Sequence, residues 1–206
     1  MRLAVGSTRM ELLKLKRRIA IARRGHRLLK DKQDELVRHF LLLMEQVISL
    51  RKEVEEKLDK AYQSFLLARQ VLAPEYLGEA LMFPQMKIKM SLAYKPLLNL
   101  RVPEVSLEYE GSPYTYGMVY TSAELDLALA EYLDVLPLML KLTALEKTLE
   151  LLALEIEKTR RRVNALEYTL IPNLIETIKY ITAKLTETER DNLTRLMKIK
   201  EIVRAH

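Results

Sequence analysis

Apolar residues recur at steps of three and four along most of the chain, with one interruption in its middle. The later series reads Leu142, Leu145, Leu149, Leu152, Ile156, Val163, Leu166, Leu170, Leu174, Ile178, Ile181 and Leu185, and Thr159 is its one polar member. Such spacing draws a stripe along one side of a helix, a seam that a second helix must cover. A matching seam opens the chain: Leu12, Leu15, Ile19, Ala22, His26, Leu29, Gln33, Leu36, Phe40, Leu43, Val47, Leu50, Val54, Leu58, Ala61, Phe65, Ala68 and Leu72. The consecutive steps of four at Leu50, Val54 and Leu58 interrupt the heptad and should unwind a supercoil there. Thr8 to Glu11 has the T-x-x-E form of a capping box, and the first proline is Pro74. At ~1.5 Å per residue, the helix predicted between them would run roughly 95 Å.

A second apolar line flanks the first seam at Leu13, Ala20, Leu28, Val37, Leu42, Met44 and Ile48. Two readings stand: a wide stripe packed by a third segment of the chain, or a surface that an outside protein wraps. Between Pro74 and Gly117 the period changes. Prolines and glycines punctuate the segment, and residues 86–92 and 105–109 alternate apolar with polar as half-buried strands do. This predicts a short helix near residues 75–81 and a small β-hairpin, with residues 114–120 as a candidate third strand. A hairpin is not stable alone, so this one must lean on the helices or on a partner. A second T-x-x-E at Thr121 to Glu124 opens the last helix, where Pro137 and Pro172 should each kink it.

The expected fold is therefore mainly α: two very long helices forming an antiparallel coiled-coil hairpin, with the β-hairpin insert at the end opposite the termini. Residues 1–73 are the first long helix, 74–121 the insert, and 122–206 the C-terminal helix, kinked near Pro137 and Pro172. Each buried Leu or Ile contributes about 1.5–3 kcal/mol, so a dozen layers hold such a structure without a globular core.

Composition sharpens this picture. Charged residues make up 30% of the 206 and hydrophobic ones 49%, with only five glycines, the mixture of long helices with much surface. There is no cysteine, which removes disulfides and thiolate metal sites and fits a reducing compartment. No signal peptide is legible, and no apolar run reaches the ~20 residues a membrane span needs, so a soluble chain is expected. The net charge of +6 is unevenly placed. Arg9, Lys14, Lys16, Arg17, Arg18, Arg23, Arg24, Arg27, Lys30 and Lys32 face only Glu11 and Asp31 in that stretch, and Arg190, Arg195, Lys198, Lys200 and Arg204 lie opposite them in the predicted hairpin. Single residues of this kind are usually a solvated surface; the cluster points to an acidic partner.

No catalytic constellation is present. A phosphate-cradling glycine loop is absent. His26 sits in the seam, where an interhelical hydrogen bond explains it better than metal ligation. Glu155, Glu157 and Glu167 stand at helix-face spacing beside basic residues, as ordinary ion pairs do. No catalytic residue, cofactor or metal is predicted.

Three blocks then match a known pattern: STRMELLKLKRR at 7–18, GHRLLKDK at 25–32 with Asp34, Glu35 and Leu36, and TRRRVNA at 159–165 followed by Leu166, Glu167, Ile171 and Pro172. Together they resemble the D subunit of the vacuolar and archaeal-type rotary ATPases, across residues 7–72 and 142–203; Ser7 stands where many members carry proline. The resemblance implies a non-catalytic central rotor shaft, peripheral to the membrane on the cytoplasmic side, transmitting torque between the catalytic hexamer of A and B subunits and the ion-translocating membrane ring. It implies the A, B, F and C subunits as partners, with no nucleotide or nucleic acid bound by the chain itself and no part of it embedded in the membrane. Expected hexamer contacts are Thr8, Arg9, Arg17, Arg18, Arg195 and Lys198. Arg160, Arg161, Arg162 and Asn164 are expected either to meet a partner or, for Asn164, to set helix register. Met86, Ile88, Met90, Tyr114 and Tyr116 are expected on the side of the C and F subunits. The rival readings are a basic coiled coil that binds nucleic acid and a scaffold with no rotary role; sparse aromatics among the arginines weigh against the former.

Overall fold

The computed structural model describes residues 5–83, 85–117 and 121–205. Its elements are α1 (Arg9–Val71), α2 (Pro74–Met82), β1 (Lys87–Leu97), β2 (Leu100–Glu110), α3 (Ala123–Asn164), a π-helical segment (Ala165–Leu170) and α4 (Ile171–Ala205). The chain divides into two compact units, residues 1–36 with 156–206, and residues 37–155.

In the first unit the start of α1 packs on α4 and the π-helical segment. Leu15 and Ala22 form a buried cluster with Leu174 and Ile181, flanked by Leu12, Ile19, Leu170, Ile178 and Leu185. Arg9 reaches Glu189 while His26 reaches Glu167, so the paired helices run antiparallel. In the second unit the rest of α1 lies antiparallel to α3: Arg51 pairs with Glu146, Phe65 meets Tyr132 edge to face at 6.5 Å, and Ala68 and Leu72 pack on Leu125. Ala61, Ala68 and Ala128 are fully buried, and such small side chains let larger neighbours interdigitate.

Every position of the first seam, from Leu12 to Leu72, is buried or half-buried, and so is every position of the second from Leu142 to Leu185. Thr159 is 1% exposed. Thr148 and Thr177 are also buried, and each hydroxyl donates to a carbonyl one turn back, Ala144 at 2.8 Å and Asn173 at 2.7 Å.

The prolines act differently from one another. Helical winding in α3 carries on through Pro137. Pro172 follows a six-residue π-helix in which the Ile171 N–H donates to the Leu166 carbonyl, five residues back. The wider turn moves the preceding carbonyls away from the proline ring, which would otherwise strike the one four residues before it.

The sheet is a two-stranded antiparallel hairpin. Residues 114–117 form no third strand, and 118–120 lie outside the described residues. Opposed residues share a face, so Ile88, Met90, Leu92 and Tyr94 stand with Tyr109, Leu107, Val105 and Pro103 on an apolar side. The other side is polar and cross-linked by Lys89 to Glu110, Lys95 to Glu104, and the Ser91 and Ser106 hydroxyls at 2.6 Å. Pro103 and Val105 line two open clefts together with Ala144 of α3.

Candidate interaction surfaces

Thr8 caps α1. Its hydroxyl accepts the Glu11 N–H at 3.2 Å and its carbonyl accepts the Leu12 N–H at 3.0 Å. The reciprocal arm of the capping box is not made, because the Glu11 carboxylate takes Lys14 Nζ at 2.7 Å instead. Arg9 donates to Glu189 at 2.6 Å, tying the helix start to α4. Arg17, Arg18, Arg195 and Lys198 are exposed and make no ion pair among the described residues. Thus Thr8 and Arg9 have structural work within the chain, whereas the other four present unneutralised charge.

Around these cations lies a feature that charge alone does not disclose. From Thr186 to Arg204 every residue of α4 is exposed, including Leu193, Leu196, Met197, Ile199, Ile202 and Val203. Leu196, Ile199 and Val203 continue the spacing of the covered seam. The signal was in the same periodicity, but only the coordinates show where coverage by α1 stops.

The first-helix flanking line is likewise open: Leu13, Ala20, Leu28, Val37, Leu42 and Ile48 are exposed, and Met44 is half-buried. No third segment of the chain covers it among the described residues, which removes the wide-stripe reading.

Arg160, Arg161, Arg162 and Asn164 all face outward, since Thr159 and Val163 take the seam positions. Arg161 is held by Glu157 one turn back. The π-helical segment follows directly and leaves Tyr168 74% exposed.

In the insert, Met86, Ile88 and Tyr116 line one apolar cleft of about 470 Å³ together with Leu81, Leu129 and Tyr132. Met90 and Tyr114 are exposed and lie outside it. The Tyr116 hydroxyl donates to the Asp126 carboxylate. Burial first, and then that carboxylate, push the phenol well above its ordinary range. On the α1 surface, the hydrogen bond from Lys57 lowers the Glu53 carboxyl. Among the described residues no group of three or more His, Asp or Glu side chains could hold a metal ion, and no helix is long and apolar enough to cross a membrane.

A family model for the ATP synthase D subunit matches residues 11–201 of this chain. The V-type ATP synthase D subunit of Acetivibrio thermocellus is 52% identical over 203 residues, covering 97% of this chain and 91% of its own. That of Thermoanaerobacter pseudethanolicus is 52% identical over 201 residues, covering 97% and 96%. That of Clostridium novyi is 50% identical over 207 residues, covering 98% and 96%.

Proposed function

The chain belongs to the ATP synthase D-subunit family and is a central-stalk, non-catalytic component of a V-type ATP synthase complex, and we propose that it serves there as the rotor shaft, meeting a hexamer of A and B subunits at one set of surfaces and the F and C subunits at others. The observation that carries this reading is the uncovered seam of α4. Leu196, Ile199 and Val203 hold the spacing of buried positions yet stand in solvent, with Arg195 and Lys198 between them. An apolar ridge flanked by cations suits a sleeve that is apolar within and rich in carboxylates or carbonyls at its rim.

Arg17 and Arg18 on α1 add to the cationic surface offered to the hexamer, with Thr8 capping α1 and Arg9 holding its start to α4. The exposed Arg160 and Arg162 meet the hexamer's lower rim or the F subunit. The open line through Leu13, Leu28, Leu42 and Ile48 and the cleft formed by Met86, Ile88 and Tyr116 offer apolar area to the F and C subunits, with Met90 and Tyr114 beside it. Such a chain needs no nucleotide site of its own to drive catalysis, because its unequal faces stabilise different states at the surrounding catalytic interfaces. The chain works peripheral to the membrane, in the soluble sector and central stalk.

The test is reconstitution of the full chain with A and B subunits, followed by gel filtration and an ATPase assay. One copy should enter each hexamer and change turnover. Replacing Leu196, Ile199 and Val203 together by Ser should abolish entry without lowering the chain's own melting temperature, because all three are exposed already. Failure to co-elute, or entry of the triple variant as readily as the parent, overturns the proposal.

A further inference from the structure

The π-helical segment has a cause that can be read residue by residue. Leu166, Leu170, Leu174 and Ile178 keep to the seam through three successive steps of four, so residues 166 to 178 give three turns twelve residues. Three α turns take about 10.8. The helix therefore carries one surplus residue, and winding residues 165–170 more widely absorbs it while the flanking turns keep their faces on α1. Pro172 fixes where the surplus is taken up, since it removes one backbone donor and excludes the tighter turn.

Within the covered seam from Ile156 to Ile181, the same stretch is the one without a fully buried side chain. None of residues 165–170 is buried, whereas Val163 on one side and Leu174 and Ile181 on the other are. Across from it, α1 presents Gly25 and the polar His26. Leu170 lies at the edge of the buried cluster, while Glu167 accepts one hydrogen bond from His26 Nε2 at 3.2 Å, so a polar pair stands where the neighbouring layers are apolar.

We propose that residues 165–170 form a torsionally soft joint, a place where the last helix turns about its own axis by redistributing one surplus residue while the layers on both sides stay closed. Wider winding, a missing donor and weak cross-helix packing all lower the local resistance to twist, and they coincide within eight residues. If the rotor-shaft reading above holds, this joint takes up part of the twist between the driven and the driving ends; the joint itself is a property of the isolated chain and is tested there.

The experiment is hydrogen exchange on the full-length chain and on two variants, deletion of the exposed Thr169 and Pro172→Ala. In the parent, amides of residues 166–171 should exchange at least about tenfold faster than those of residues 149–163 and 174–181. Deleting Thr169 leaves eleven residues for the same three turns. The segment should then wind as α-helix, the exchange difference should fall within about twofold, and the melting temperature should hold or rise. Pro172→Ala should narrow the difference without erasing it. Uniform exchange in the parent, or a Thr169 deletion that unfolds the chain, overturns the proposal. Since no other protein takes part, loss of the rotor-shaft reading would appear only in the reconstitution and leave this result unaffected.

Discussion

His26 of α1 and Glu167 of the π-helical segment meet across the seam, with Nε2 3.2 Å from Oε2, the imidazole mostly covered and the carboxylate half in solvent. This pair occupies a layer that leucines fill elsewhere. One such hydrogen bond nets about 0.5–1.5 kcal/mol, less than the roughly 1.5–3 kcal/mol from burying a leucine there. His26→Leu should therefore leave the melting temperature unchanged or raise it, as followed by circular dichroism. A clear fall would mean that the pair sets helix register rather than filling a place in the seam.

The contrast between covered seam and open line predicts two classes of substitution. Leu174 and Leu152 are fully buried, and truncating either to Ala should cost about 2–5 kcal/mol in urea unfolding. Leu13 and Leu28 are at least half open, at 50% and 64%, and the same change there should stay within about 0.5 kcal/mol. Equal losses at the two kinds of site would mean that the flanking line is covered after all.

The hairpin turns at Leu98, whose φ is 54°, a left-handed backbone that a side chain resists at roughly 1–2 kcal/mol. Leu98→Gly should slow limited proteolysis at the hairpin. Gly111 also has a positive φ, 95°, and there a Cβ would lie 2.7 Å from the Gln85 carbonyl oxygen. Gly111→Ala should accordingly hasten cleavage of the insert. The two substitutions should move protection in opposite directions, and a shared direction would contradict the turn geometry.

Tyr116 gives the pH dependence its sign. Its folded-state pKa is raised, chiefly by burial and next by the hydrogen bond to Asp126, so folding favours the protonated phenol. The contribution is complete below the unfolded value of about 10 and is lost as pH climbs beyond it. Chemical unfolding between pH 8 and 11 should show stability falling at the alkaline end. Tyr116→Phe should remove that part of the slope and cost about 1 kcal/mol at neutral pH. An unchanged alkaline slope in the variant would place its origin in another group.

Much of this protein was legible in the chain itself. Periodicity alone named the buried positions from Leu12 to Leu72 and the apolar ones from Leu142 to Leu185, though not the buried Thr148 and Thr177, because a residue's face on a helix depends only on the count from its neighbours. Alternation found both strands of the hairpin for the same reason, though it placed them short of their full length. Three steps of four at Leu166, Leu170, Leu174 and Ile178 held the π winding in plain view, yet reading it required knowing that those residues stay in the seam. Coverage, by contrast, came from the folded arrangement: Leu196, Ile199 and Val203 continue the seam yet stand exposed, the line through Leu13 and Leu28 stays open, and Glu11 turns to Lys14 instead of closing its capping box. Spacing along one helix says which face is apolar, whereas the partner that buries that face depends on where a second, distant segment begins and ends, and no local pattern records it.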